Sequence, residues 1–126
     1  MPKIYFMDNG VRNYFSGDFT DLDNRTDAGF LFEGFYISQL IKKGLDSDFI
    51  KYYRTKSGEE IDIIIDQYPE LIPIELKFKK KTNARDLSTI KRFVQKNKLP
   101  VGFVVTMGEI KKVNSLELID CFRTIK

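Results

Sequence analysis

Two isoleucine-rich runs, residues 60–66 and 71–78, separated only by Gln67, Tyr68, Pro69 and Glu70, constrain this chain more than any other feature. Branched and aromatic side chains favour strands, and Pro69 marks a turn, so the two runs read as neighbouring strands. Residues 49–55 form a third such run, joined to the first by the turn Lys56-Ser57-Gly58-Glu59. The three make a meander. Each of the last two strands carries acids among its isoleucines: Asp62 in one, and Glu75 in the other, followed two positions later by Lys77. Because side chains alternate along a strand, Glu75 and Lys77 share one face while Ile74, Leu76 and Phe78 share the opposite one. Charge in an apolar strand is costly unless it is paired or holds a metal, so its repetition here points to a purpose.

Helices are expected on either side of the meander. From residue 28 to about 43, apolar residues recur at helical spacing as Phe30, Ile37, Leu40 and Ile41, with Thr26 or Asp27 before them as cap and Gly44 after them as stop. Glu33 lies three positions after Phe30 and four before Ile37, inside that stripe. A second helix starts at Thr82 or Asn83 and runs to about Asn97, with Leu87, Ile90 and Val94 inward and Pro100 closing it. Residues 101–106 read as a strand and 116–125 as a terminal helix; an opening strand is expected at residues 3–8 and a loop at 16–27. The order helix, three strands, helix, strand predicts an α/β layer fold with a mixed sheet flanked by helices.

At 126 residues, with 42% hydrophobic and 31% charged, the chain has the size and composition of one globular domain. No apolar stretch reaches the roughly 20 residues that cross a bilayer, so no membrane partner is expected. There is no histidine, which removes Ser-His-Asp and Cys-His nucleophile schemes and histidine zinc sites. The single cysteine, Cys121, allows no internal disulfide and suits a reducing cytoplasm; its place in the terminal apolar segment marks it as core. A net charge of +3 allows a polyanionic partner without requiring one.

The chemistry left open is hard-cation chemistry through carboxylates. Mg²⁺ takes oxygen ligands and keeps several waters, so two or three carboxylates on rigid elements are the expected protein share. Asp62 and Glu75 fit that share, Glu33 is the third candidate, and Lys77 stands where an ammonium would stabilise charge on a phosphate. Mn²⁺ would serve equally. The structural alternative is a buried Glu33–Lys77 pair, with Asp62 and Glu75 satisfied by backbone or by Arg54. The cations Lys79, Lys80, Lys81, Lys91 and Arg92 either follow a phosphate backbone or form a solvated face. Tyr52 and Tyr53 either stack on bases or fill the core.

In this order the residues resemble the PD-(D/E)XK nuclease superfamily, with an acid in the first helix (Glu33), an aspartate on the second core strand (Asp62) and E-x-K on the third (Glu75, Lys77). More narrowly, KIYFMDNG at 3–10, FEG at 32–34, YRTKSGEEID at 53–62 and IELK at 74–77 look like the DUF4143 domain found at the carboxyl end of archaeal and bacterial ATPases. The resemblance implies a restriction-endonuclease-like core and a Mg²⁺-dependent endonuclease acting on DNA. Asp62, Glu75 and Glu33 would then be metal ligands, with Lys77 catalytic beside them. It also implies that the 126 residues are one domain of a larger parent ATPase, whose ATPase part is a partner; a homo-oligomer is compatible. No G-x-x-x-x-G-K-[ST] motif occurs, so ATP binding by a phosphate-binding loop is not expected. The alternative function is a catalytically inactive module that binds nucleic acid or a protein.

Overall fold

The computed structural model describes residues 28–121, and the chain divides between Leu45 and Asp46 into two compact units. The expected strand at 3–8 and loop at 16–27 lie outside the described residues. In the first unit, α1 spans Ala28–Lys42. It ends as Gly44 predicts: at φ 105° this residue takes the left-handed conformation, its N–H donates to Ile41 O at 3.0 Å, and Leu45 N–H donates to Leu40 O at 3.1 Å. Leu31, Phe32, Tyr36, Ile37 and Leu40 are buried, whereas Phe30, expected in the stripe, is 38% exposed. The helix is apolar around most of its circumference, so spacing alone did not single out the buried face.

Among its described residues the second unit holds a six-stranded mixed sheet and one α-helix, after a single 3-10 turn at Ser47–Phe49. Its elements are β1 (Ile50–Arg54), β2 (Glu60–Gln67), β3 (Glu70–Leu76), α2 (Ala84–Lys96), β4 (Gly102–Thr106), β5 (Lys111–Val113) and β6 (Leu116–Asp120). The sheet order is β1-β2-β3-β4-β6-β5, with β1, β2 and β3 antiparallel to their neighbours in the meander and β3, β4 and β6 mutually parallel. The α/β class and the order helix, meander, helix, strand are those expected. Strand β3 stops at Leu76, two residues short of expectation, where Lys79 N–H folds back onto Lys77 O at 2.7 Å.

The expectation of a helix over 116–125 is corrected for its described part, and residues 122–125 lie outside the described residues. Residues 116–120 are instead strand β6, paired antiparallel with β5 through the two-residue turn Asn114-Ser115. Asn114 takes φ 54°, a conformation asparagine tolerates better than most side chains. Leu116, Leu118 and Ile119 are all buried, and a short apolar run buried in this way carries no period that separates strand from helix. Cys121 is buried after β6, in the core as expected but not on a helix, and burial pushes its thiol pKa up.

The α2 face of the sheet forms a hydrophobic core. Leu87, Ile90 and Val94 of the helix pack with Ile61, Ile64, Val104, Leu116 and Leu118. Each such side chain withdrawn from water contributes about 2 kcal/mol. Asn83, one of the two expected helix starts, caps α2 reciprocally with Asp86. The helix approaches β4 so closely that a Cβ on Gly102 would lie 2.7 Å from Val94 and 3.1 Å from Leu116. Gly102→Ala is therefore expected to cost about 1–3 kcal/mol, read as a lower urea midpoint with unchanged slope. An unchanged midpoint would show that helix and sheet separate freely.

Candidate active site

The site begins with an irregularity in β2. Lys51 pairs with Ile64 and Tyr53 with Ile61, so two steps on β1 match three on β2, and Asp62 and Ile63 together oppose Tyr52. Such a bulge re-aims side chains and bends the strand. It puts Ile61 and Ile64, which simple alternation would place on opposite faces, into the same core cluster. It also sits where the backbone ladder between β2 and β3 ends, at the pair Ile63–Ile74.

Beyond that pair, carboxylates replace carbonyls. Leu76 N–H donates to Asp62 Oδ2 at 2.8 Å, and Asp62 N–H donates to Glu75 Oε1 at 3.3 Å. Asp62 and Glu75 are the next two residues on the same register, facing each other across the strands. Glu75 aligns with Val104 and Leu118, which places it on the face that α2 covers. It is only 6% exposed. Burial first, then the hydrogen bond and charge of Asp62, raise its pKa to about 9, against a smaller lowering by Lys77. At neutral pH Glu75 therefore keeps its proton.

Lys77 is half-buried, and its N–H extends the parallel pairing to Val105 O at 2.9 Å. Its charge is felt by Glu75 and by Asp86 in the first turn of α2. Among the described residues its Nζ makes no hydrogen bond or ion pair. Arg54, the alternative partner for the acids, pairs with Glu60 instead at 3.4 Å. Glu33 is half-buried in α1, in the first unit. No group of three or more Asp, Glu, His or Cys able to hold a metal occurs among the described residues. The neighbouring Asp62 and Glu75 carboxylates are oxygen donors of the kind a hard divalent cation takes, two being the low end of its usual protein share.

A model of the DUF4143 family, a domain of unknown function, matches residues 28–120. The chain belongs to that family. No curated protein and no solved structure matches this DUF4143 domain. No helix among its described residues is long and apolar enough to cross a membrane.

The five cations proposed for nucleic acid occupy two places in the DUF4143 domain. Lys79, Lys80 and Lys81 are exposed on the loop after β3, and Lys91 and Arg92 are exposed on α2. Two of the five are neutralised: Lys79 Nζ contacts both carboxylate oxygens of Asp86 at 2.8 and 2.7 Å, holding that carboxyl below its usual range, and Arg92 pairs with Glu59. Sequence reasoning missed Glu109, which accepts from Thr82 N–H at 2.7 Å and Thr82 Oγ1 at 2.9 Å and so ties the loop after β4 to the loop after β3. Nothing in a lone glutamate 27 residues away signals that contact.

Proposed function

We propose that this domain is a metal-dependent, nuclease-like module that hydrolyses phosphodiester bonds in DNA, with Asp62 and Glu75 holding Mg²⁺ or Mn²⁺ and Lys77 stabilising charge on the phosphate. The observation that carries this reading is the separation of acids from base. A structural role for Lys77 calls for an ion pair, and among the described residues its ammonium makes none; the backbone N–H bonds to Asp62 and Glu75 fit either reading. The resemblance to the PD-(D/E)XK superfamily supports it. When bound, a divalent cation supplies Lewis-acid stabilisation of the developing phosphate charge. The chain itself supplies two carboxylates fixed by β2 and β3, a proton that Glu75 gives up as charge arrives, and an ammonium on Lys77, just past the end of β3. The reading carries with it a cytoplasmic setting and the ATPase part of a parent chain as partner.

A second reading, a binding or regulatory module without catalysis, draws on a specific observation: among the described residues no group of three or more possible metal ligands occurs, and Asp62 and Glu75 each already accept from a backbone N–H. One set of measurements separates the readings. Millimolar Mn²⁺ is expected to raise the melting temperature, since a ligand at 100 times its Kd stabilises the native state by about 2.7 kcal/mol. Asp62→Asn should abolish the rise. Cleavage of single-stranded, duplex and branched DNA should follow the same metal dependence. A melting temperature unmoved by Mn²⁺, with no cleavage, leaves only the binding module.

A further inference from the structure

The proposed chemistry leaves unused a cleft of about 500 Å³ between the β1–β2 hairpin and α2. That volume falls within the roughly 300–1,000 Å³ of small-ligand sites. Tyr53 and Phe93 line it, half-buried and edge to face with ring centroids 5.0 Å apart at 60°. The hairpin beside it is fixed before any ligand arrives. Thr55 N–H donates to Glu59 O at 2.8 Å, Glu59 N–H to Thr55 Oγ1 at 3.0 Å, and Gly58, at φ 92°, donates to Thr55 O at 3.1 Å. Glu59 then pairs with Arg92, which ties the hairpin to the helix. Two further lining residues, Gln95 and Lys96, are exposed, and their side chains make no hydrogen bond or ion pair among the described residues.

We infer that this cleft seats one nucleobase of a single-stranded DNA segment, stacked on the Tyr53 ring, which Phe93 holds edge to face from beside it. The inference rests on the nucleic-acid reading above and goes beyond it by specifying strandedness and a second contact point. Every base has a π-face, so aromatic walls accept bases without regard to sequence. The Gln95 amide offers a donor and an acceptor together, the pattern a base edge needs, and Lys96 offers a cation for the adjoining phosphate. A base inside a duplex has both faces covered by its neighbours and enters such a cleft only by unstacking. The cleft therefore selects unpaired strands or ends. Arg92, which the sequence suggests as a phosphate contact, serves here as a wall held by Glu59.

The test uses the full chain in EDTA, so that cleavage plays no part. Anisotropy is measured with a labelled single strand and with a duplex of equal length, and the fluorescence of a 2-aminopurine base in the single strand reports stacking. The single strand is expected to bind at least tenfold tighter than the duplex, with 2-aminopurine quenched. Tyr53→Leu should lose roughly five- to a hundredfold in affinity, together with the quenching. The double variant Gln95→Ala, Lys96→Ala, confined to exposed side chains, should weaken single-strand binding severalfold and leave the circular dichroism unchanged. It decides the matter if Tyr53→Leu does not fold. Wild-type binding with neither variant affected overturns this inference while the nucleic-acid reading stands. No binding of either DNA overturns both.

Discussion

Glu75→Gln is expected to stabilise the metal-free protein by on the order of 3 kcal/mol at pH 7. In the folded protein the Glu75 carboxyl titrates at about 9, against 4.5 for an unburied glutamate, chiefly because it is buried. A group whose folded pKa is raised is fully compatible with folding below its unfolded pKa, and its contribution is lost as pH rises through the folded value. Above pH 4.5 the unfolded chain gives up this proton and the folded chain keeps it, at a cost of about 1.4 kcal/mol per pH unit. Wild-type stability should therefore fall between about pH 4.5 and 9, apart from the slopes of other groups. Glutamine keeps both contacts: its oxygen accepts from Asp62 N–H and its amide donates to the Asp62 carboxylate. It removes only the ionisation. Denaturant unfolding of both proteins at pH 5, 7 and 9 reads the effect as a difference that widens with pH. The same variant should lose Mn²⁺-induced stabilisation. If wild type and variant show parallel pH profiles, Glu75 is ionised in the fold and does not hold the proton.

The meander, α1 and α2 were legible because their signals are local. Strand runs broken by Gly58 and Pro69, the glycine stop at position 44 and the helix start at Asn83 each act within a few residues. The pairing of Asp62 with Glu75 was legible too, because a short turn fixes the register of the two strands that carry them. What stayed hidden was decided by contacts distant in sequence. A buried strand and a short buried helix segment look alike at residues 116–120, and only the neighbour β4 resolves them. The bulge at Asp62 leaves no mark in composition, since Ile61, Ile63, Ile64 and Ile65 read the same in either register. Nor does a sequence show that Lys79 and Arg92 spend their charge on Asp86 and Glu59. Charge runs suggest a surface; the fold decides which cations remain to meet a phosphate.

Lys77→Met is expected to reduce metal-dependent cleavage by about 10²- to 10³-fold, the usual effect of removing one preorganised group that stabilises transition-state charge. Methionine keeps most of the aliphatic stem, so packing of this half-buried side chain persists while its charge is lost. Folding stability should change by less than about 1 kcal/mol, because the ammonium has no ion-pair partner among the described residues. Loss of the cation also removes the one charge that lowers the Glu75 pKa, so the proton on Glu75 becomes harder to displace. Mn²⁺ affinity gains from the departure of a neighbouring positive charge and loses from this tighter proton, and the balance shifts toward gain as pH rises. Stabilisation by Mn²⁺ should consequently grow more steeply with pH in the variant than in the wild type. A structural lysine behaves otherwise: breaking a buried ion pair on one side costs about 3–5 kcal/mol. Single-turnover cleavage and urea unfolding of the same preparation distinguish the two, and a large loss of stability with unchanged cleavage would remove Lys77 from the chemistry.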